Sequence, residues 1–316
     1  MKIKVMQNII DIIRGKKTAR QVVQFYKDNI EATKNKLLLH KYIDSAEYRV
    51  MYPPQGMGDI LYICLLLKAY KKIHKKKIVV IVRKPYFKQL VQLFDKEVYD
   101  TLLFGYNLDN FMSHIKQNKA ILNIEAELYE KDMKFVSFKT NLIEILGLPK
   151  DTKLWWEGGA DTCFEFKTDS LNINHKKGKT IILSPHATSC PKCVPNDFWI
   201  ALAEYFLAKN FDIIFNSNDE IFSQKYKSCL LSISDSIALA NSCGYFIGYR
   251  SGLCDVIAYF STCQKIFIYP TNPHSGDSAK KYLELATTKE LWRHNKAKEY
   301  IYSQELLKII QSLICP

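Results

Sequence analysis

A strand in which apolar and polar residues alternate can leave one face in water, whereas a strand that is apolar almost throughout must be covered on both faces. The run "KIVVIV" (77–82) is of the second kind, and it sits in a regular alternation of strand-like and helix-like segments. "YRVMY" (48–52) precedes the helical "DILYICLLLKAYKKIH" (59–74), and "KIVVIV" precedes "YFKQLVQLF" (86–94). The strand "AILNIEA" (120–126) precedes the helix "FVSFKTNLIEILG" (135–147). Buried strands separated by helices form a parallel sheet with helices on both sides.

Around 148–178 the pattern lapses into a polar stretch with a proline and three glycines, which reads as a connection between domains. The alternation then resumes with "TIILS" (180–184), a helix at 197–209, "FDIIF" (211–215), a helix near 222–229 and "YFIG" (245–248). A helix from Leu253 to Phe260 and the strand "KIFIY" (265–269) complete it. The expectation is an α/β chain with two Rossmann-like, doubly wound parallel-sheet domains facing a cleft. The domains span 47–165 and 166–296, between an N-terminal helical extension over 1–46 and a C-terminal helix over 297–316. In the extension, Met6, Ile10 and Ile13 share one helical face, Gly15 can stop that helix, and Thr18 with Gln21 forms a capping-box signature before Val22, Val23 and Phe25. Packing on the domain behind it accounts for such an apolar face better than contact with a membrane does.

Composition narrows the classes. A chain of 316 residues, 47% hydrophobic and 24% charged, has the make-up of a globular protein with core enough for two domains. Its longest apolar run, Ile60 to Leu67, falls well short of the roughly 20 residues that cross a bilayer. Polar residues at Asn8, Asp11 and Arg14 break up any secretory core near the start, so a cytoplasmic location is expected. Nine cysteines, Cys64, Cys243, Cys254 and Cys263 among them in apolar segments, read as reduced core residues. The net charge of +13 attracts anionic partners: phosphorylated small molecules, nucleic acid, or the anionic inner face of a membrane as a peripheral contact. Nucleic acid is disfavoured, because the aromatic residues lie in apolar segments and no RNA-binding motif is present. The lysine-rich "KAYKKIHKKK" (68–77) reads as a solvated helix end.

Three turns could carry chemistry. "GMGD" (56–59) stands between a strand and a helix, where glycines let the backbone approach a ligand and an acid suits the helix dipole. Asp59 is then a helix cap, a ligand-positioning group or a general base. "LSPHATSCPKCVPNDFW" (183–199) places Lys192 in a turn before a helix, where a lysine and backbone N–H groups can hold a diphosphate. Cys190 and Cys193 form a lone CxxC without the second pair that a zinc site wants. "GYRSGLCDVIA" (248–258) offers the Ser251 hydroxyl, the Gly252 and Leu253 N–H groups and the Arg250 fork to phosphate. The alternative for this turn is a surface Arg250 with Ser251 as a plain helix cap.

Taken in order, these segments resemble a family. From about residue 48 to 275 the chain is similar to GT-B glycosyltransferases of the heptosyltransferase-like group, which build bacterial lipopolysaccharide core, capsule and related surface glycans. "GMGDILYICLLLKAYKK" resembles the first turn and helix of that group, and "IILSPHATSCPKCVPNDFWIALAEYFLAKNFDIIFNSNDE" resembles the opening of its donor domain. "DSIALANSCGYFIGYRSGLCDVIAYFSTCQKIFIYPTNP" resembles its closing segment. The resemblance implies an inverting transfer from a nucleotide-sugar donor to a surface glycan or lipid-linked precursor, with Asp59 as base and with no metal or other cofactor. It places donor and phosphate contacts at Gly58, His186, Thr188, Lys192 and Asn216, and again at Arg250, Ser251, Gly252, Leu253 and Asp255. Two positions depart from the pattern: the group commonly has an acid before Ser/Thr-Gly and a histidine three residues after the glycine, where this chain has Arg250 and Asp255. The competing readings are a nucleotide-sugar epimerase of the same fold and a non-enzymatic polyanion-binding protein.

Overall fold

The computed structural model describes residues 19–54, 56–104, 120–130, 138–155, 173–187, 194–273, 278–292 and 296–315. The chain divides into two compact units, Met1–Gln55 with Leu67–Lys131, and Gly56–Leu66 with Asp132–Pro316.

The first unit carries α1 (Ala19–Ile43), β1 (Tyr48–Tyr52), the later part of α2 (Met57–His74), β2 (Lys77–Val82), α3 (Pro85–Val91), β3 (Thr101–Phe104), β4 (Ile121–Asn123) and α4 (Ile124–Glu130). Its four strands are all parallel, in the order β3-β2-β1-β4. Val50, Val79, Ile81 and Leu103 form one face of the sheet, and Leu39 and Ile43 of α1 pack into the same cluster. Asn35, one helical turn before Leu39, is also buried and donates from Nδ2 to the Phe104 carbonyl at 2.7 Å. The extension therefore packs on the sheet through its last turns. Met6, Ile10, Ile13 and Thr18 lie outside the described residues.

The strand expected over 120–126 stops at Asn123, whose side-chain oxygen accepts the Ala126 N–H at 3.1 Å and so begins α4. The lysine-rich end of α2 is a solvated helix end, where Lys68 and Lys71 pair with Glu97 and Asp100, and Lys77 at the start of β2 pairs with Glu47. Such exposed pairs contribute little to stability.

The second unit adds α5 (Phe138–Ile145), β5 (Thr180–Ser184), α6 (Asn196–Ala208), β6 (Asp212–Phe215), α7 (Glu220–Ser223) and β7 (Lys227–Ser228). It continues with α8 (Ile233–Cys243), β8 (Gly244–Tyr249), α9 (Gly252–Phe260), β9 (Gln264–Tyr269), α10 (Ala279–Leu285), a 3-10 turn (Lys289–Leu291), β10 (Lys298–Ile301) and α11 (Leu306–Ile314). Six parallel strands run in the order β10-β9-β8-β5-β6-β7. On one face, Ile181, Leu183, Ile247 and Ile266 pack against Trp199, Leu202 and Phe206 of α6 and Leu306 and Ile310 of α11. Cys64, Cys243, Cys254 and Cys263 are free and buried, as their apolar settings implied.

Two sequence expectations fail here. The helix near 222–229 ends at Ser223, because Lys227 and Ser228 complete the hydrogen bonding of the β6 edge as β7. The tail 297–316 is not helical throughout: β10 extends the sheet beside β9, and the helix begins only at Leu306.

Gly244 closes α8 in the left-handed region at φ 95°, and a Cβ there would lie 3.2 Å from Gly178 Cα and 3.4 Å from its carbonyl. Gly244→Ala therefore combines backbone strain with a clash against main chain. The expected loss is about 1–2 kcal/mol, read as a lowered urea midpoint with unchanged slope.

Candidate functional site

In the second sheet the chain adds β6 and β7 on one side of β5 and then β8, β9 and β10 on the other. At such a reversal the connections leaving adjacent strands diverge and open a crevice beyond the carboxyl ends. A cavity of about 220 Å³ opens there, lined by Pro185, His186 and Ala187 after β5, by Val194, Pro195 and Asn196 at the start of α6, and by Tyr249 at the end of β8. Pro195 occupies the N-cap position of α6 and makes no side-chain cap; its carbonyl accepts the Phe198 N–H at 3.1 Å, so the helix end presents the Asn196 and Asp197 N–H groups.

His186 stands at this cavity with Nε2 3.5 Å from Asp219 Oδ2 and its ring 5.8 Å from Phe222. Asn216, buried after β6, uses its side-chain oxygen to accept the Leu231 N–H at 3.0 Å and braces the neighbouring loop. Thr188 and Lys192 lie outside the described residues, as do Cys190 and Cys193.

The turn after β8 adjoins this cavity through Tyr249. Ser251 takes the N-cap position of α9 without a side-chain cap bond, and its hydroxyl lies 3.9 Å from the Cys254 sulfur. Arg250 does not project freely. Its two terminal nitrogens meet the two carboxylate oxygens of Asp255 at 3.0 and 2.8 Å, and its Nε donates to the Ala286 carbonyl at 3.0 Å. The side chains are 12% and 6% exposed, so this bidentate pair is nearly dry. Burial raises the Asp255 carboxyl above the ordinary carboxylate range, and the Arg250 charge opposes that rise. The two positions that depart from the family pattern therefore answer each other.

The pair also holds the first turn. A Cβ on Gly58 would fall on the Asp255 carboxylate, and one on Gly252 would lie 2.6 Å from Met57 Cβ and 2.9 Å from the Gly58 nitrogen. Two glycine turns, distant in sequence, thus pack backbone to backbone. Asp59 follows directly in the first turn of α2, half-buried, with its carboxylate folded over Gly56. The structure brings Gly58, Arg250, Gly252 and Asp255 together at one place; His186 stands at the adjoining cavity and Asn216 behind the β6 end.

Further residues at this place carry no signal in the sequence. Burial first, then the Asp255 and Glu290 carboxylates, holds the Tyr62 hydroxyl well above its ordinary range. Glu299 on β10 accepts from the Thr288 N–H and hydroxyl and from the Tyr269 hydroxyl, each at 2.8 Å. The Tyr269 hydroxyl is also 2.9 Å from the Ala286 carbonyl that receives Arg250. Glu299 so anchors the segment against which the arginine is braced. Among the described residues no group of three or more His, Cys, Asp or Glu side chains could hold a metal ion, and no helix is long and apolar enough to cross a membrane.

In the first unit the carboxyl ends of the strands carry Arg83 after β2, paired with Glu125 at 3.1 Å and set over the Tyr52 ring at 5.4 Å. Neither Arg83 nor Glu125 is marked by a motif.

No family model matches the chain in sequence, and no curated protein does. Solved structures do match it in three dimensions. The Escherichia coli heptosyltransferase WaaC with ADP superposes with a TM-score of 0.53 at 10% identity, over 84% of this chain and 98% of that one. WaaC with ADP-2-deoxy-2-fluoro heptose gives the same values. The E. coli ADP-heptose lipopolysaccharide heptosyltransferase II matches with a TM-score of 0.50 at 11% identity, over the same 84% and 98%. At such identities the likeness speaks for architecture, and the two parallel sheets described above are accordingly those of the GT-B fold of the bacterial heptosyltransferases.

Proposed function

We propose that the chain is an inverting glycosyltransferase that moves a sugar from a nucleotide-sugar donor to a hydroxyl of a bacterial surface glycan or its lipid-linked precursor. The observation that carries this reading is the packing of the Gly56–Asp59 turn on the Arg250–Asp255 turn, beside the cavity at the carboxyl end of the second sheet. Such a place joins a candidate base to backbone N–H groups suited to phosphate.

In the proposed reaction Asp59 takes the proton of the acceptor hydroxyl as that oxygen attacks the anomeric carbon. The bond from that carbon to the diphosphate oxygen breaks, its electron pair leaves with the nucleoside diphosphate, and the configuration inverts. Charge growing on the leaving oxygen is met by Lys192, the Ser251 hydroxyl and the Gly252 and Leu253 N–H groups. Fixed charges and dipoles of this kind commonly supply the largest share of rate enhancement, and here they take the place a metal would otherwise fill. His186 and Asn216 border the donor cavity and its supporting loop. Arg250 and Asp255, bonded to each other, act through the turns they hold. Arg83 and Glu125 offer the acceptor a cation and a carboxylate at the first sheet's edge.

A thermal-shift series over nucleoside diphosphates and nucleotide sugars tests the reading, since a ligand that binds only the folded state raises Tm according to its affinity. A raised Tm with a nucleotide sugar, followed by transfer that requires an acceptor, is the expected result. Conversion of donor alone to an epimer would replace transfer by epimerisation. Lys192→Ala is expected to weaken nucleoside diphosphate binding by about 1.5–3 kcal/mol in calorimetric titration, and unchanged affinity would remove Lys192 from the site.

A further inference from the structure

Helix α1 has two faces with different fates. Asn35, Leu39 and Ile43, spaced four residues apart, are buried on the first sheet. The opposite face carries a row of apolar side chains at intervals of seven: Val23 is 53% exposed, Ile30 58% and Leu37 72%, with Leu38 beside them at 44%. A second row, Lys27, Lys34 and Lys41, keeps the same interval one helical turn further on, and all three are exposed. Lys68 and Lys71 of α2 and Lys77 at the start of β2 are engaged by carboxylates, whereas these three form no ion pair among the described residues.

We infer that this face of α1 is a membrane-contact surface that lies on a bilayer rich in acidic phospholipid. Apolar side chains at this spacing can sink into the boundary between headgroups and acyl chains while the adjacent lysines keep their ammonium groups among lipid phosphates. Each cation close to such a surface strengthens binding by roughly fivefold. A second copy of the helix fits the face less well. A zipper needs apolar residues three places after each member of the first row, where α1 has Tyr26, Thr33 and His40. The lysine row would also border the seam on both partners with charge of one sign. Charge complementarity therefore selects an anionic lipid surface. The inference stands on α1 alone and does not depend on the proposed sugar transfer.

Flotation of the full chain with phosphatidylglycerol–phosphatidylcholine vesicles, against vesicles of phosphatidylcholine alone, tests it without any activity readout. The chain is expected to float with the acidic vesicles only, and to be released by high salt. Ile30→Ser/Leu37→Ser and, separately, Lys27→Glu/Lys34→Glu are expected to lower the vesicle partition coefficient at least tenfold, with Tm unchanged because none of the four residues is buried. Equal partition of either variant and the parent would overturn the inference. So would failure of the parent to bind acidic vesicles, whether the face is covered by this chain's first residues or by a second copy, which sedimentation would show as a dimer.

Discussion

Asp59→Asn lowers kcat for sugar transfer by roughly 100- to 10,000-fold and leaves nucleoside diphosphate affinity within about twofold: this is the expected result if Asp59 is the base, since proton removal by a placed carboxylate contributes on that scale. The amide keeps the shape of the carboxylate and cannot accept the proton. Because Asp59 sits at the start of a helix that is otherwise buried along Ile60–Leu67, the substitution leaves the core untouched, and Tm should hold. Parallel measurement of kcat and of nucleotide affinity separates the roles left open by the sequence. A fall in affinity with kcat preserved would make Asp59 a donor ligand, and a fall in Tm alone would make it a cap.

The second large effect concerns stability. Asp255→Ala leaves the Arg250 guanidinium buried without its carboxylate, and breaking such a pair from one side typically costs about 3–5 kcal/mol. The expectation is a loss of that size in urea unfolding, larger than for Asp255→Asn, which keeps an oxygen for one of the two guanidinium bonds. Because the Asp255 carboxylate abuts Gly58, Asp255→Asn should also reduce kcat while donor affinity is largely retained. A stability change below about 1 kcal/mol for Asp255→Ala would show that the pair is loosely held or solvated in solution.

Both sheets were readable because strands buried on two faces leave little room for polar residues: "KIVVIV" and "TIILS" declare themselves without any long-range information. The short strands did not. "TLLF" (101–104) and "KEYI" (298–301) are too brief and too mixed to be told from loop, and they become strands because an edge of the sheet is there to bond them. At the candidate site the glycine turns were visible, and so were the unusual identities of Arg250 and Asp255. The two-bond geometry of their pairing was not, since residues five apart meet in that way only through the turn that joins β8 to α9. Glu299 was invisible for a different reason: nothing local distinguishes a carboxylate that braces a neighbouring strand from one that faces water. On α1 the seven-residue intervals were present in the letters, yet only burial shows which side is covered.

The two touching glycines carry a practical consequence for anyone who alters this protein. Gly58 and Gly252 meet main chain to main chain, so even a single methyl on either loop must be accommodated by the other. Libraries that diversify one loop while fixing its counterpart will mostly return inactive members. Productive changes of specificity should come from joint variation of both loops, or from surrounding side chains with both glycines retained.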